Sequence, residues 1–150
     1  MSEIVFAKES LPHLMTEVSD LITEHYEEIT HYKDIELAPD WDAYLRVYES
    51  GGLRCYTARK EDKLVGYCIF FIKHNMHYKN SLQASQDILF ITKEQRGRGG
   101  RFIKWCDEEL KEEGVQVVYH HVKKKHNFGP LLERFGYDLV DLIYAKRLDK

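Results

Sequence analysis

Cysteine is scarce and odd in number, with Cys55, Cys68 and Cys106 the only three in 150 residues. They are widely spaced and fall inside predicted strands and a predicted helix. That argues against a disulfide framework and reads as buried thiols in a reducing compartment. A basic excess is also missing: the formal net charge is -3, whereas binding to a phosphate backbone needs the opposite sign, so nucleic acid is not the expected partner. No apolar run approaches the ~18 residues of a membrane span, and the opening "MSEIVFAKES" lacks the basic, apolar, small-residue order of a signal peptide. A cytoplasmic protein without membrane contact is expected. Internal repeats and low-complexity segments are absent.

What is present is material for a core. Hydrophobic residues make up 43% and aromatics 13%, with ten tyrosines, enough for one domain over residues 1–150 that folds without disulfides or a structural metal.

Periodicity gives the element order. Residues 3–8, "EIVFAK", read as a short strand, and Ser10 and Pro12 cap and open a helix. Leu14, Val18, Leu21, Ile22, Tyr26 and Ile29 recur at three- and four-residue steps and carry that helix to about Tyr32. A second helix starts at the Asp40 cap and stops at Gly51 and Gly52. The period then falls to two: "LRCYTAR" and the apolar "LVGYCIFFI" flank a polar "KEDK" turn and predict a hairpin. A third strand spans roughly Leu82–Thr92. It runs into "KEQRGRGGR", after which Phe102, Ile103, Cys106 and Leu110 form the inward stripe of a helix that Gly114 ends. "VQVVYHHV" reads as a strand, "NFGPLLERF" as a short helix with Pro130 in its first turn, and "YDLVDLIYAKRL" as a closing strand. The order β-α-α-β-β-β-α-β-α-β predicts an α/β (α+β) fold with a mixed, largely antiparallel sheet and helices on both faces.

The glycine stretch holds three glycines and three arginines in the six residues 96–101. A strand running through glycines into a helix aims free N–H groups and the positive helix end at one spot suited to a phosphate. Glycine there admits the anion and supplies positive φ, and Arg96, Arg98 and Arg101 add charge. A surface turn carrying solubilising arginines is the plain alternative. The stretch is not a P-loop, since no Lys-Ser/Thr follows, and it lacks the order of a Rossmann turn.

"DILFITKEQRGRGGRFIKWCDEEL" resembles motif A of the GNAT superfamily, the acyl-CoA-dependent N-acyltransferases. Arg96 and Gly99 match its pattern of Arg or Gln, two residues, Gly, one residue, Gly or Ala; Arg101 departs from it. "ERFGYDLV" is similar to the family's Gly-Phe turn, and the short chain resembles the small, phage-type acetyltransferase-like proteins. The resemblance implies acetyl-CoA as cosubstrate, with strand backbone of Phe90, Ile91 and Thr92 on the pantetheine arm. Arg96, Gly97, Arg98, Gly99, Gly100, Arg101 and Phe102 would wrap the pyrophosphate, and Asn127 would also touch CoA. The motif strand would splay from the strand at about Val115–Val122 to admit the acyl group. The family's frequent acid, a tyrosine, falls on Leu132.

Acyl transfer needs a deprotonated amine, a polarised carbonyl and a proton for the leaving thiolate. Asp87 resembles the family position of a glutamate base; its plain reading is a strand-end carboxylate. His120 and His121 are adjacent on a strand, so one faces each side of the sheet, and each is a candidate base or a satisfied structural histidine. No histidine spacing suggests a metal. "VKKKHN" is a basic cluster that contacts an acidic group or is solvated, and the loop with His77 and Tyr78 is a candidate acceptor wall. Trp41, Trp105 and the tyrosines read as core and rim. The expected protein is thus an N-acetyltransferase acting on a small-molecule or protein amine, compatible with a homodimer. The rivals are a degenerate binding or assembly protein on the same fold and an aminoacyl-tRNA-directed acetyltransferase.

Overall fold

The computed structural model describes residues 3–150, with the backbone alone for residues 26–29. Tyr26 and Ile29 of the predicted stripe therefore lie outside the described side chains. Strand β1 (Ile4–Glu9) leads to helix α1 (Leu11–Ile29), in which Leu11, Leu14 and Val18 are fully buried at three- and four-residue steps. The Ser10 hydroxyl accepts the His13 N–H at 3.3 Å, as the expected cap. Helix α2 (Trp41–Glu49) opens at Asp40, whose carboxylate accepts the Ala43 N–H at 3.0 Å. It closes where Gly51 turns to φ 84°.

Strands β2 (Leu53–Lys60) and β3 (Lys63–His74) form the expected hairpin. Its two turn residues, Glu61 and Asp62, both have positive φ, 52° and 65°, as a two-residue turn between right-twisted strands requires. Strand β4 (Leu82–Ile91) runs antiparallel to β3, a 3₁₀ turn covers Lys93–Arg98, and helix α3 (Gly99–Glu112) follows. Strand β5 (Val117–Tyr119) pairs parallel to β4, and helix α4 is Gly129–Arg134. The sheet has five strands in the order β1-β2-β3-β4-β5.

Each face of the sheet is covered by helix. On one side Phe102, Cys106 and Leu110 of α3 pack on Tyr56, Cys68, Phe70 and Ala84; on the other Leu11, Leu14 and Val18 of α1 pack on Leu53, Tyr67, Ile69 and Phe90. Each such buried apolar side chain contributes about 1.5–3 kcal/mol. All three cysteines are free and buried, and burial pushes the Cys55 thiol up to about 12. Arg59 clamps α1 to the sheet: its guanidinium donates to Glu9 at 2.8 and 2.9 Å and to Glu17 at 3.0 and 2.8 Å.

Three expectations are corrected. Helix α1 ends at Ile29, short of Tyr32. The glycine stretch is a 3₁₀ turn and not an open loop. Gly99 has φ −59°, and the positive-φ glycines are Gly51, Gly114 and Gly136, so the motif's glycines are not required by backbone twist. The closing strand is not formed: residues 137–148 carry no strand. Tyr137 anchors the start of this segment, donating to Asp107 on α3 at 2.6 Å, and Arg147 anchors its end, donating to Asp34 at 2.8 Å. Neither anchor brings it onto a sheet edge.

Candidate active site

The site is built by a fault in the β3–β4 ladder. Ile69 pairs with Ile88 but Phe70 pairs with Gln86, so Asp87 is an extra residue on β4. A bulge of this kind bends its strand and re-aims the side chain it inserts. The β4–β5 ladder ends just before it, at Ser85 and Tyr119. Beyond that point β4 has a neighbour on one side only, because β5, expected over about Val115–Val122, spans only Val117–Tyr119.

Register decides which backbone groups line the opening. The Thr92 N–H donates to Val65 at 2.9 Å, which turns Thr92 toward β3. In an antiparallel ladder alternate residues share that orientation, so Phe90, paired with Tyr67, also bonds inward. The outward groups are those of Leu89 and Ile91. Of the three residues expected to contact a ligand through the strand backbone, only Ile91 turns its groups away from β3; Leu89, two residues earlier, shares that orientation. The Ile91 carbonyl is already met by the Arg96 Nε at 3.0 Å, which folds the arginine back beneath the strand end.

The N-terminus of α3 opens directly beyond. Its first N–H, that of Gly99, donates to the Arg96 carbonyl of the 3₁₀ turn, and the helix start carries the positive dipole end. A Cβ on Gly97 would meet nothing within 4 Å and one on Gly99 only Ile91 Cδ1 at 3.5 Å, so both glycines front open space. Gly100 faces inward, where a Cβ would lie 3.1 Å from the Phe135 ring and 3.3 Å from Leu131; it seats α4 against α3. Arg98 donates to Gln95 at 2.8 Å, Arg101 is exposed and Phe102 is fully buried in the core. Gly66 on β3 is the crowded glycine, with the Phe90 carbonyl oxygen and Ile91 Cγ1 both at 3.0 Å from its Cβ position. Gly66→Ala is therefore expected to cost about 1–3 kcal/mol, and Gly99→Ala to change stability by less than about 0.5 kcal/mol. Urea denaturation of the two variants checks this.

The bulge turns Asp87 toward α2, where the Tyr44 hydroxyl donates to its Oδ2 at 2.5 Å. Burial raises the Asp87 carboxyl, while the Tyr44 bond and the nearby His121 charge pull it back. Burial, and then the Asp87 bond, hold the Tyr44 phenol far above its usual range. His121 is exposed on this same side. Neither histidine is on the expected strand, since β5 ends at Tyr119; His120 packs edge-on against Phe70 and Tyr137 at 5.6 and 5.2 Å. Its Nδ1 bonds the Gln86 carbonyl oxygen at 2.8 Å, which makes Nδ1 the donor. Burial takes its pKa down to about 4, leaving a neutral ring. The other nitrogen, Nε2, is buried with no hydrogen-bond partner among the described residues. Asp87 and His121 thus come together and His120 does not join them.

The remaining candidates are placed as follows. Asn127 is exposed and accepts the Gly129 N–H at 2.8 Å, closing the turn into α4. Leu132 is buried. Lys123, Lys124 and Lys125 line a depression of about 290 Å³ with Thr30 and His31, past the end of β5. The loop with His77 and Tyr78 precedes β4 and lies six residues from Asp87, about 20 Å along an extended strand, so it does not wall the opening. Sequence reasoning missed Tyr44, Gln86 and Tyr137; the first is 43 positions from its partner, and no local spacing signals such a pair.

No family model matches the chain, and no curated sequence does. Solved structures match over nearly the whole chain. A ribosomal-protein-alanine N-acetyltransferase from Brucella melitensis biovar Abortus 2308 superposes with TM-score 0.71 at 16% identity, covering 97% of this chain and 99% of that one. A predicted acetyltransferase from Clostridium acetobutylicum, solved with acetyl-CoA, gives 0.68 at 15% identity and 97% of each chain. A transcriptional regulator from Bacillus halodurans C-125 gives 0.74 at 14% identity, covering 97% of this chain and 100% of that one. The fold is that of the GNAT acetyltransferases.

Proposed function

We propose that this GNAT-fold chain is an acetyl-CoA-dependent N-acetyltransferase that passes the acetyl group directly to a primary amine. The observation that carries the reading is the juxtaposition at the end of β4. Outward backbone groups of Leu89 and Ile91, left unpaired by β5, are followed in the chain by Gly97 of the 3₁₀ turn and Gly99 at the start of α3, both of which front open space. An extended thiol arm ending in a pyrophosphate fits both halves: strand backbone for the amide-bearing arm, helix N–H groups and Arg98 and Arg101 for the phosphates. Asn127, tied into its own turn, borders that end from α4.

Acetyl-CoA supplies an acyl thioester in the strand opening. On the α2 side Asp87 takes a proton from the incoming ammonium, directly or through water, with Tyr44 fixing its carboxylate and His121 beside it. The outward N–H of Leu89 is placed to polarise the thioester carbonyl. The C–N bond forms as the C–S bond breaks, and the thiolate takes up the proton the amine has lost. His120 Nε2 serves as a hydrogen-bond acceptor in the opposite wall, since a ring with a pKa near 4 is too weak a base for an amine at neutral pH. The acceptor enters from the side of α1 and α2, past the Lys123–Lys125 cluster, which favours an amine that also carries an acidic group.

One observation favours a second reading, a protein that binds CoA without turnover. Leu132 stands where the family often has its acid, and the Tyr137 hydroxyl is committed to Asp107 at 2.6 Å. A thiol-release assay with acetyl-CoA separates the two. Amine-dependent release across a panel of aminoglycosides, amino sugars and peptide N-termini supports transfer. Binding with no release above the buffer rate supports the second reading, and salt-sensitive retention of aminoacyl-tRNA with its acetylation would redirect the acceptor class.

A further inference from the structure

The stretch from Gly114 to Leu132 contains no aspartate or glutamate, in a chain whose formal net charge is -3. Its lysines, Lys123, Lys124 and Lys125, are gathered at a tight turn: the Lys123 carbonyl accepts the His126 N–H at 3.0 Å, and the two residues form an isolated bridge. The three lysines line a depression of about 290 Å³ with Thr30 and His31. Among the described residues no carboxylate lines it. Lys123 and Lys124 are exposed and make no ion pair with the described residues, unlike Arg147 and Lys150, which both meet Asp34 at 2.8 Å. On a molecule that otherwise repels anions, such a spot is where one is directed.

Its position separates this anion from the one proposed at α3. Helix α3 covers one face of the sheet and α1 the other, and the depression is walled by Thr30 and His31, which directly follow α1. It is close to Asp87 instead. His121 is near enough to act on the Asp87 carboxyl, and Lys123 follows two residues on, at most about 7 Å away between Cα atoms. Lysine binds phosphate as a point charge. A phosphate monoester, with a charge of about −1.5 to −2 and three acceptor oxygens, matches two ammonium groups and the Thr30 hydroxyl better than a carboxylate with one charge and two oxygens.

We propose that this depression is an anion subsite for the acceptor, holding the phosphate of a phosphorylated primary amine while the amine lies at Asp87. The assignment rests on the transferase reading above. It narrows the acceptor from any acidic amine to one whose phosphate is set off from the nitrogen by a short spacer.

Two readouts on the full chain test it. Titration with inorganic phosphate, followed by ¹H–¹⁵N correlation spectra, is expected to shift the amides of Thr30, His31 and Lys123–Lys125 saturably. Lys123→Glu with Lys124→Glu, both at exposed positions, removes the effect, and Lys123→Arg with Lys124→Arg keeps it. In the thiol-release assay, ω-aminoalkyl phosphates of two to six carbons should exceed their phosphate-free amino alcohols in kcat/KM, and the glutamate pair should lower that preference by roughly tenfold or more. No saturable shift in the wild type, equal shifts in the glutamate variant, or a preference for the phosphate-free amines or for ω-amino carboxylates would each overturn the proposal. So would shifts that acetyl-CoA abolishes and its 3′-dephospho form does not, which would assign the lysines to the cosubstrate's own phosphate. Acetylation of no amine, with the phosphate shifts intact, would overturn the transferase reading and the acceptor role with it, while the anion site stands.

Discussion

Replacing Asp87 by asparagine is expected to lower the rate of acetyl transfer by roughly 10²–10⁴-fold while leaving acetyl-CoA affinity unchanged. Asp87 is the residue the bulge inserts, and it faces α2 through Tyr44, the side from which the proposed function brings the acceptor. Burial raises its carboxyl above the ordinary range, so the acidic limb of the pH–rate profile should report its protonation: activity falls as pH drops through that value. Tyr44→Phe sharpens the test. The phenol donates to the carboxylate and favours its charged form, so removing it moves the limb to higher pH. Saturation kinetics with a responsive amine read both effects, and an Asp87→Asn variant with unaltered turnover would remove Asp87 from the mechanism.

The second large effect is acid sensitivity of the fold. His120 titrates near 4 in the folded chain against an ordinary 6.5, so the unfolded chain binds a proton over that interval and the folded chain does not. Stability from this residue is complete above about pH 6.5 and is lost as pH falls toward 4, about 3 kcal/mol in total at ~1.4 kcal/mol per pH unit. Glu9 and Glu17 act in a lower window. Hydrogen bonds from Arg59 are the largest cause holding both below their ordinary 4.5, so their contribution is present above that pH and disappears below it. His120→Asn keeps a donor toward Gln86 and cannot take up a proton. Urea midpoints for the variant should stay level from pH 6.5 to 4.5 where the wild type declines, and fall with it only below. Parallel declines in both proteins would assign the acid sensitivity elsewhere.

How much of this was legible in the sequence depends on the distance over which each feature is determined. The Phe102, Ile103, Cys106, Leu110 stripe, the Ser10 and Asp40 caps and the β2–β3 hairpin are set by neighbours within a turn or two, and all stand as read. The strand–glycine–helix order is likewise local and forms as read; the anion site drawn from it is part of the proposed function. Its chemistry was misread in one respect: Gly97 and Gly99 matter for open space and not for positive φ, and Gly100 for packing on Phe135 and Leu131. The bulge at Asp87 was invisible because it exists only relative to β3, whose pairing shifts between Ile69 and Phe70. The same shift decides that Leu89 and Ile91, and not Phe90 and Thr92, face the opening. The closing strand, read from the apolar residues 139–144, is not formed: residues 137–148 carry no strand and those side chains are exposed, because an apolar run sets a propensity and the edge it needs lies far away in sequence.

The central claim is that the end of β4 and the α3 N-terminus together hold acetyl-CoA, and the most direct test is calorimetric titration of the chain with acetyl-CoA beside Gly99→Glu. A glutamate side chain there enters the space meant for the pyrophosphate and puts negative charge at the helix end, at a position where the backbone angle and surroundings tolerate a side chain. Saturable one-to-one binding by the wild type, weakened at least roughly 100-fold (about 2.7 kcal/mol) in the variant, is the predicted result. No heat from the wild type at millimolar acetyl-CoA, or equal binding by both proteins, would contradict it.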